Sequence, residues 1–277
     1  MTGDARTRLA RPDLADERLQ GLVRAQRFAE IQTMVCARPT AAILKAPDAA
    51  AEQQDELLFG EGFDVLETRG GWAWGQAARD GYVGFVRAEA LAPGGEAPTH
   101  RVAALSTAVF GRPNLKSQVL ALLSMNSLVR AGDVTDGFAD CGTVGWIHAA
   151  HLQPIGQFEA DWVAVAERFL GAPYLWGGRS NRGLDCSGLV QMGMQAVGRA
   201  CPRDTDQQLD AFAEGPGRTG LRRGDLAFWK GHVGVMLDGE RLLHANAHHM
   251  AVAIEPLDGA LARIEKAGVP FVGYRRA

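Results

Sequence analysis

One stretch of this chain is written twice. Gly81-Tyr82-Val83-Gly84-Phe85-Val86 returns as Gly142-Thr143-Val144-Gly145-Trp146-Ile147, and the closing Leu91 returns as Leu152; the offset is 61 residues at both points. Equal offsets at two points mark a duplicated module. The first copy also carries Glu56-Leu57-Leu58-Phe59-Gly60-Glu61-Gly62-Phe63 and Gly71-Trp72-Ala73-Trp74, and the second carries Val119-Leu120-Ala121-Leu122-Leu123. Short alternating strands between Gly and Asp turns predict a small β-barrel for each copy. Glycine supports this: 34 of the 277 residues are Gly, well above the usual ~7%, as a chain with many tight turns requires.

Pro93-Gly94-Gly95-Glu96-Ala97-Pro98 reads as a linker. The expected division is an N-terminal arm over 1–30, β-modules over 31–95 and 96–157, and a third domain over 158–277. In the arm, Leu14, Leu19 and Leu22 fall at roughly helical intervals, so a short helix and a solvated leader are both open readings. The third domain begins with an amphipathic helix over 161–170, capped by Asp161 or Glu159 and stopped by Gly171-Ala172-Pro173. A glycine-rich loop and a second helix over 189–197 follow. Strands are expected at 225–229, 233–237, 241–245, 250–254 and 270–274. Helices first and strands afterwards make an α+β layout.

Several classes of function are excluded by composition. Lys plus Arg is 29 and Asp plus Glu is 32, a net charge of −3, which gives no dominant footprint for nucleic acid or an acidic membrane surface. The start has no basic segment leading into an apolar run, and no stretch approaches a membrane span, so a cytoplasmic location is expected. Cys36, Cys141, Cys186 and Cys201 contain no C-x-x-C pair and are too sparse for a disulfide framework.

The chemistry centres on Cys186. It stands where a loop meets the second helix, a place where the helix dipole favours the thiolate. Polar Asp185 and Ser187 flank it, and Gly177, Gly178, Gly183 and Gly188 leave room for a substrate. The other three cysteines lack such surroundings and are read as inert. His232 opens a strand, and His244 lies 12 residues on, across a turn at Asp238-Gly239-Glu240. A symmetric turn sets both imidazoles on one face of the hairpin, opposite or diagonal. His232 then takes the proton of Cys186, while His244 accepts from its other nitrogen and fixes the tautomer. These three residues lack an evident fourth ligand, so no metal is expected. Trp146, Trp176 and Trp229 are read as core aromatics, and His248-His249 as a polar strand end.

Tyr174-Leu175-Trp176-Gly177-Gly178, Asp185-Cys186-Ser187-Gly188-Leu189-Val190, Gly224-Asp225-Leu226, Gly231-His232-Val233-Gly234-Val235 and Leu243-His244-Ala245 together resemble the ordered signature of the NlpC family of cell-wall cysteine peptidases. The resemblance spans about 159–277, and the two repeats resemble bacterial SH3-like domains. The layout as a whole is similar to the γ-D-glutamyl-L-diamino acid endopeptidases, of dipeptidyl-peptidase VI type, that recycle murein peptides.

That resemblance implies a papain-like α+β peptidase domain behind two SH3-like barrels. Its implied activity is hydrolysis of the γ-D-glutamyl–diamino acid bond in murein tri- or tetrapeptides with a free N-terminal L-Ala, without metal or cofactor. Cys186, His232 and His244 match the family's catalytic positions. Asp185 and Asp204 are the implied partners of the substrate ammonium, Tyr174 and Ser187 its hydrogen-bonding neighbours, and Glu56 and Tyr82 contributions from the first repeat. The alternatives are a wall-remodelling hydrolase of intact peptidoglycan and a non-catalytic wall-peptide-binding protein.

Overall fold

The computed structural model describes residues 4–277. The chain divides into two compact units, one running to Ile155 and the other from Gly156 to Ala277.

The first unit is built of short strands. A seven-stranded sheet runs in the order Gln53–Leu58, Thr40–Leu44, Val83–Arg87, Trp72–Ala77, Gly62–Arg69, Gln32–Cys36, Leu91–Pro93. It wraps a core of Cys36, Ile43, Leu57, Phe63, Val65, Tyr82 and Val86. Beyond it, a five-stranded and a three-stranded sheet enclose a separate core of Val102, Val109, Leu123, Val129, Ile147 and Leu152. The sequence repeat has a structural counterpart. Strand Val83–Arg87, a 3₁₀ turn at Ala88–Ala90 and strand Leu91–Pro93 recur as Trp146–His148, Ala149–His151 and Leu152–Pro154. In both copies the leucine N–H closes the 3₁₀ turn onto the alanine carbonyl three residues back.

Among the described residues the N-terminal segment forms two single 3₁₀ turns, Ala5–Thr7 and Glu17–Leu19, but no α-helix, and it is not a solvated leader. Leu14–Asp16 and Arg27–Ala29 pair as parallel strands, and Leu9 and Leu14 are buried against Leu66 and Trp74. The Arg11 guanidinium lies 4.0 Å from the Trp74 ring centroid. The leucine spacing resembled a helical stripe because Leu14 is a buried strand residue, while Leu22 faces solvent at 60% exposure.

In the second unit, α1 spans Trp162–Glu167, α2 Cys186–Ala196, α3 Thr205–Ala211 and α4 Leu257–Lys266. Besides a short pair, Arg179–Ser180 with Gly183–Leu184, its strands are β1 (Ala213–Glu214), β2 (Asp225–Trp229), β3 (His232–Met236), β4 (Arg241–Asn246), β5 (Ala251–Pro256) and β6 (Phe271–Arg276); β1 to β6 make the main sheet. They form one antiparallel sheet in the order β1-β6-β2-β3-β4-β5. Asp161 caps α1 by accepting from the Val163 N–H at 2.8 Å, and α1 ends at Glu167, three residues short of the expected limit. α2 is buried along nearly its whole length. It lies against α1 so closely that a Cβ on Gly193 would stand 2.8 Å from the Trp162 carbonyl oxygen, so only glycine fits there.

α3 and α4 were not expected from the sequence. α4 buries Leu257, Ala260 and Ile264 against Ala227, Trp229, Met236 and Leu242 of the sheet. The i, i+3, i+7 spacing of those three residues is the signal of an amphipathic helix. The tryptophans separate from the expectation as well. Trp229 is buried, but Trp176 is 57% exposed and Trp146 is half-buried. Trp176 lies in a loop, where no second layer covers it.

Candidate active site

Cys186 is the first residue of α2, three residues earlier than the start expected for that helix. Asp185 is the N-cap, with Oδ1 accepting from the Gly188 N–H at 2.7 Å. Its Oδ2 accepts from the Gly177 N–H at 2.9 Å, so one carboxylate ties the Tyr174–Gly178 loop to the helix start. The loop, too, packs backbone to backbone: a Cβ on Gly188 would lie 2.4 Å from the Gly178 carbonyl oxygen. The glycines here serve this close approach rather than opening space for a substrate.

Asp185 is also half of a buried ion pair. Arg203, 1% exposed, donates from one terminal nitrogen to Asp185 Oδ2 at 2.6 Å and from the other to Oδ1 at 3.0 Å. The same guanidinium donates to Ser187 Oγ at 2.9 Å, and Ser187 Oγ donates to Asp185 Oδ1 at 3.2 Å. Gln208, on α3, donates to the carbonyls of Ser187 and Pro202. Asp204 is the N-cap of α3, in a capping box with Gln207.

The backbone N–H groups of Val233 and Ser187 near the Cys186 sulfur favour the thiolate. Burial acts the other way and is larger. Together with the Asp185 charge it pushes the thiol up to about 12. Cys186 therefore rests as a neutral thiol, and the dipole-stabilised thiolate expected from the helix start is outweighed by desolvation. Tyr174 is half-buried beside this centre, and burial followed by the Cys186 and Asp185 charges raises its phenol.

β3 and β4 position the imidazoles. Val235 pairs with Leu243 and Met236 with Leu242, so the three-residue turn expected at 238–240 sets His232 and His244 diagonally on one face. His232 Nε2 and His244 Nδ1 are 2.8 Å apart. The chain continues: His244 Nε2 is 2.7 Å from Glu255 Oε1, and Arg263 of α4 is ion-paired to the same oxygen. The His244 hydrogen bond, followed by that of Arg263, holds the Glu255 carboxyl down at about 2 against the opposing effect of burial. As an anion it accepts the His244 Nε2–H. Nδ1 of His244 then accepts from His232 Nε2–H, which leaves His232 Nδ1 with the free lone pair. Burial, then the neighbouring His244, drives His232 down to about 3, so the imidazole is neutral at pH 7.

Glu255, Arg263 and Arg203 were missed by the sequence reading. Glu255 falls one residue past the expected end of its strand. The register that pairs it with Leu242, on the same face as His244, depends on a four-residue turn at 247–250. Arg203 precedes a recognised acid but carries no local pattern of its own. The two residues assigned from the first repeat lie in the first unit. Glu56 is 5% exposed on strand Gln53–Leu58, opposite Ala42, and Tyr82 belongs to that unit's core.

Residues 171–266 match the NlpC/P60 family, and residues 43–91 match the bacterial dipeptidyl-peptidase Sh3 domain. Residues 171–266 are an NlpC/P60 domain. The chain is 29% identical over 216 residues to the γ-D-glutamyl-L-lysine dipeptidyl-peptidase of Bacillus subtilis, covering 69% of this chain and 72% of that protein. It is 26% identical to dipeptidyl-peptidase 6 of Lysinibacillus sphaericus, covering 76% and 87% respectively. A crystal structure of an NlpC/P60 family protein from Bacillus cereus superposes with a TM-score of 0.76 at 19% identity, covering 88% of this chain and 99% of that one. This chain has the papain-like α+β fold, with an SH3 domain N-terminal to the NlpC/P60 domain. NlpC/P60 domains of this kind are cysteine peptidases. No helix among the described residues is long and apolar enough to cross a membrane.

Proposed function

We propose that this chain hydrolyses the γ-D-glutamyl–diamino acid bond of murein tri- or tetrapeptides whose N-terminal L-Ala is free, and so takes part in cytoplasmic peptide recycling. One observation carries the reading: a cysteine at the N-terminus of α2, a helix packed against the strand that carries His232, together with a directional His232–His244–Glu255 relay. The names of the two relatives supply the substrate class.

In this reading Cys186 gives its proton to His232 Nδ1 as the substrate arrives, and its sulfur attacks the γ-carbonyl of D-Glu. The resulting imidazolium is stabilised through His244 by the Glu255 carboxylate. The tetrahedral oxyanion is met by the backbone N–H of Cys186, one of the first-turn donors that have no partner within a helix. Collapse breaks the C–N bond as His232 protonates the leaving amine. Water, with His232 as base, then hydrolyses the thioester.

Tyr174, Asp185, Ser187 and Asp204 are the proposed substrate-binding residues. Asp185 shares its charge with Arg203, so a substrate ammonium needs a further acid, for which Asp204 is the proposed group. We read the β-module over 100–154 as a second SH3-like copy, on the strength of the recurring strand–3₁₀–strand ending.

The test is to incubate the full chain with L-Ala-γ-D-Glu-meso-diaminopimelate, the corresponding L-Lys peptide, an N-acetylated peptide and intact sacculi, with Cys186→Ala as control. Cleavage of free peptides alone, abolished in the variant, is expected. Cleavage of sacculi or the acetylated peptide points instead to wall remodelling, and no cleavage to a binding protein.

A further inference from the structure

The imidazole relay ends in a set of donors that peptide hydrolysis does not use in full. His244, His249 and Glu255 each offer a ligand atom, and these atoms lie within 4.8 Å of one another. His244 is fully buried, Glu255 is half-buried and His249 is exposed, so the set has one side open to solvent. His249 stands in the turn between β4 and β5. Asn246 holds it there: Asn246 Oδ1 lies 2.9 Å from both the His249 backbone N–H and its ring Nδ1. Because Asn246 Oδ1 can only accept, Nδ1 carries the proton and Nε2 keeps its lone pair. An imidazole oriented by such a hydrogen bond is prepared for metal coordination. Two imidazoles and one carboxylate, with a fourth position left to water, is a donor set that suits zinc. Arg263 on the Glu255 carboxylate opposes a second cation, which favours reversible binding over a resident ion.

We propose that His244, His249 and Glu255 form a regulatory zinc site, and that filling it switches the peptidase off. The binding stands on the donor geometry; the inhibition rests on the peptidase reading above. A Zn–N bond to His244 Nε2 replaces the N–H···O bond to Glu255, and the His244 proton moves to Nδ1. That nitrogen is 2.8 Å from His232 Nε2 and becomes the donor. The His232 proton therefore moves to its own Nδ1, the atom that must be bare to receive the Cys186 proton. Each imidazole keeps one proton, none is released, and the pair is locked in the unproductive tautomers.

The experiment separates binding from inhibition. Full-length Cys186→Ala, which removes the thiol as a ligand, is titrated with Co²⁺ and followed by visible absorption, with Zn²⁺ as competitor. One Co²⁺ per chain is expected, bound at least about tenfold more weakly when His249→Ala is added. In parallel, the chain with Cys186 intact and its His249→Ala variant are assayed on the free tripeptide against rising Zn²⁺. His249→Ala should retain activity to within about twofold, need about tenfold more zinc for half inhibition, and match the parent after EDTA. Equal zinc sensitivity of the two proteins overturns the proposal, as does failure of Cys186→Ala to bind Co²⁺ stoichiometrically. Stoichiometric binding in a chain without peptidase activity upholds the site and defeats the functional reading instead.

Discussion

The two sides of the proposed catalytic centre are held in place by different physics. On the nucleophile side, the Tyr174–Gly178 loop, the start of α2 and the chain before α3 meet at Asp185, whose carboxylate accepts from two backbone N–H groups, Ser187 and both terminal nitrogens of Arg203. That network is closed and almost wholly buried. On the base side, His232, His244 and Glu255 form a line of single hydrogen bonds from buried imidazole to half-buried carboxylate, ending on Arg263. The first arrangement fixes where the sulfur is. The second fixes which nitrogen carries a proton, and it stays open to solvent at its far end. A closed charge network is costly to break but tolerates little adjustment. A linear relay is inexpensive to perturb, and each perturbation acts directly on the proton inventory.

Substitutions on the two sides should therefore separate stability from rate. Removing the nucleophile itself with Cys186→Ala is expected to lower kcat/KM by roughly 10⁴-fold or more with little change in Tm. Arg203→Met leaves the Asp185 charge buried and unpaired, and should cost about 3–5 kcal/mol, seen as a large drop in Tm. The double variant Arg203→Met/Asp185→Asn should recover part of that loss, since no buried charge then lacks a partner. A double variant no more stable than Arg203→Met alone would break the contrast. On the base side, Glu255→Gln keeps an acceptor for His244 but removes the charge that stabilises the imidazolium. A fall of about tenfold in kcat is expected, with KM unchanged and a Tm shift far smaller than that of Arg203→Met.

The smallest effect concerns the resting thiol. Burial raises Cys186 to about 12, so iodoacetamide should alkylate it in the free protein more slowly than a free thiol at pH 7. Its rate should climb as pH rises past 9 toward 12. The sign for stability follows: a thiol whose folded pKa lies above its unfolded value of 9.0 stabilises the fold fully below pH 9, and that contribution is lost as pH rises toward 12. Rapid alkylation of Cys186 at neutral pH would show that the helix dipole and the two N–H donors prevail over burial.

The core of the site was legible because its signals are local. A cysteine at a loop–helix junction and two histidines an even number of residues apart across a Gly-containing turn state their own geometry. The terminal Glu255 was not legible, because its face depends on the turn between β4 and β5. Arg203 was not legible either, since it reaches Asp185 across 18 residues of sequence. The N-terminal segment misled for a related reason: three leucines at near-helical spacing carry no mark that Leu9 and Leu14 meet Leu66 and Trp74.

By itself the sequence determined the β-rich first half, the α+β second half, a cysteine at a helix start and two imidazoles on one face, since periodicity, turn chemistry and motif spacing act over a few residues. Tertiary structure alone decided the protonation states: the same Cys186 and His232 would be an ordinary thiol and an ordinary imidazole in an unfolded chain. Burial raises one and lowers the other. The partners that direct their protons, Arg203 and Glu255, arrive from distant parts of the sequence only when the sheet and helices have packed.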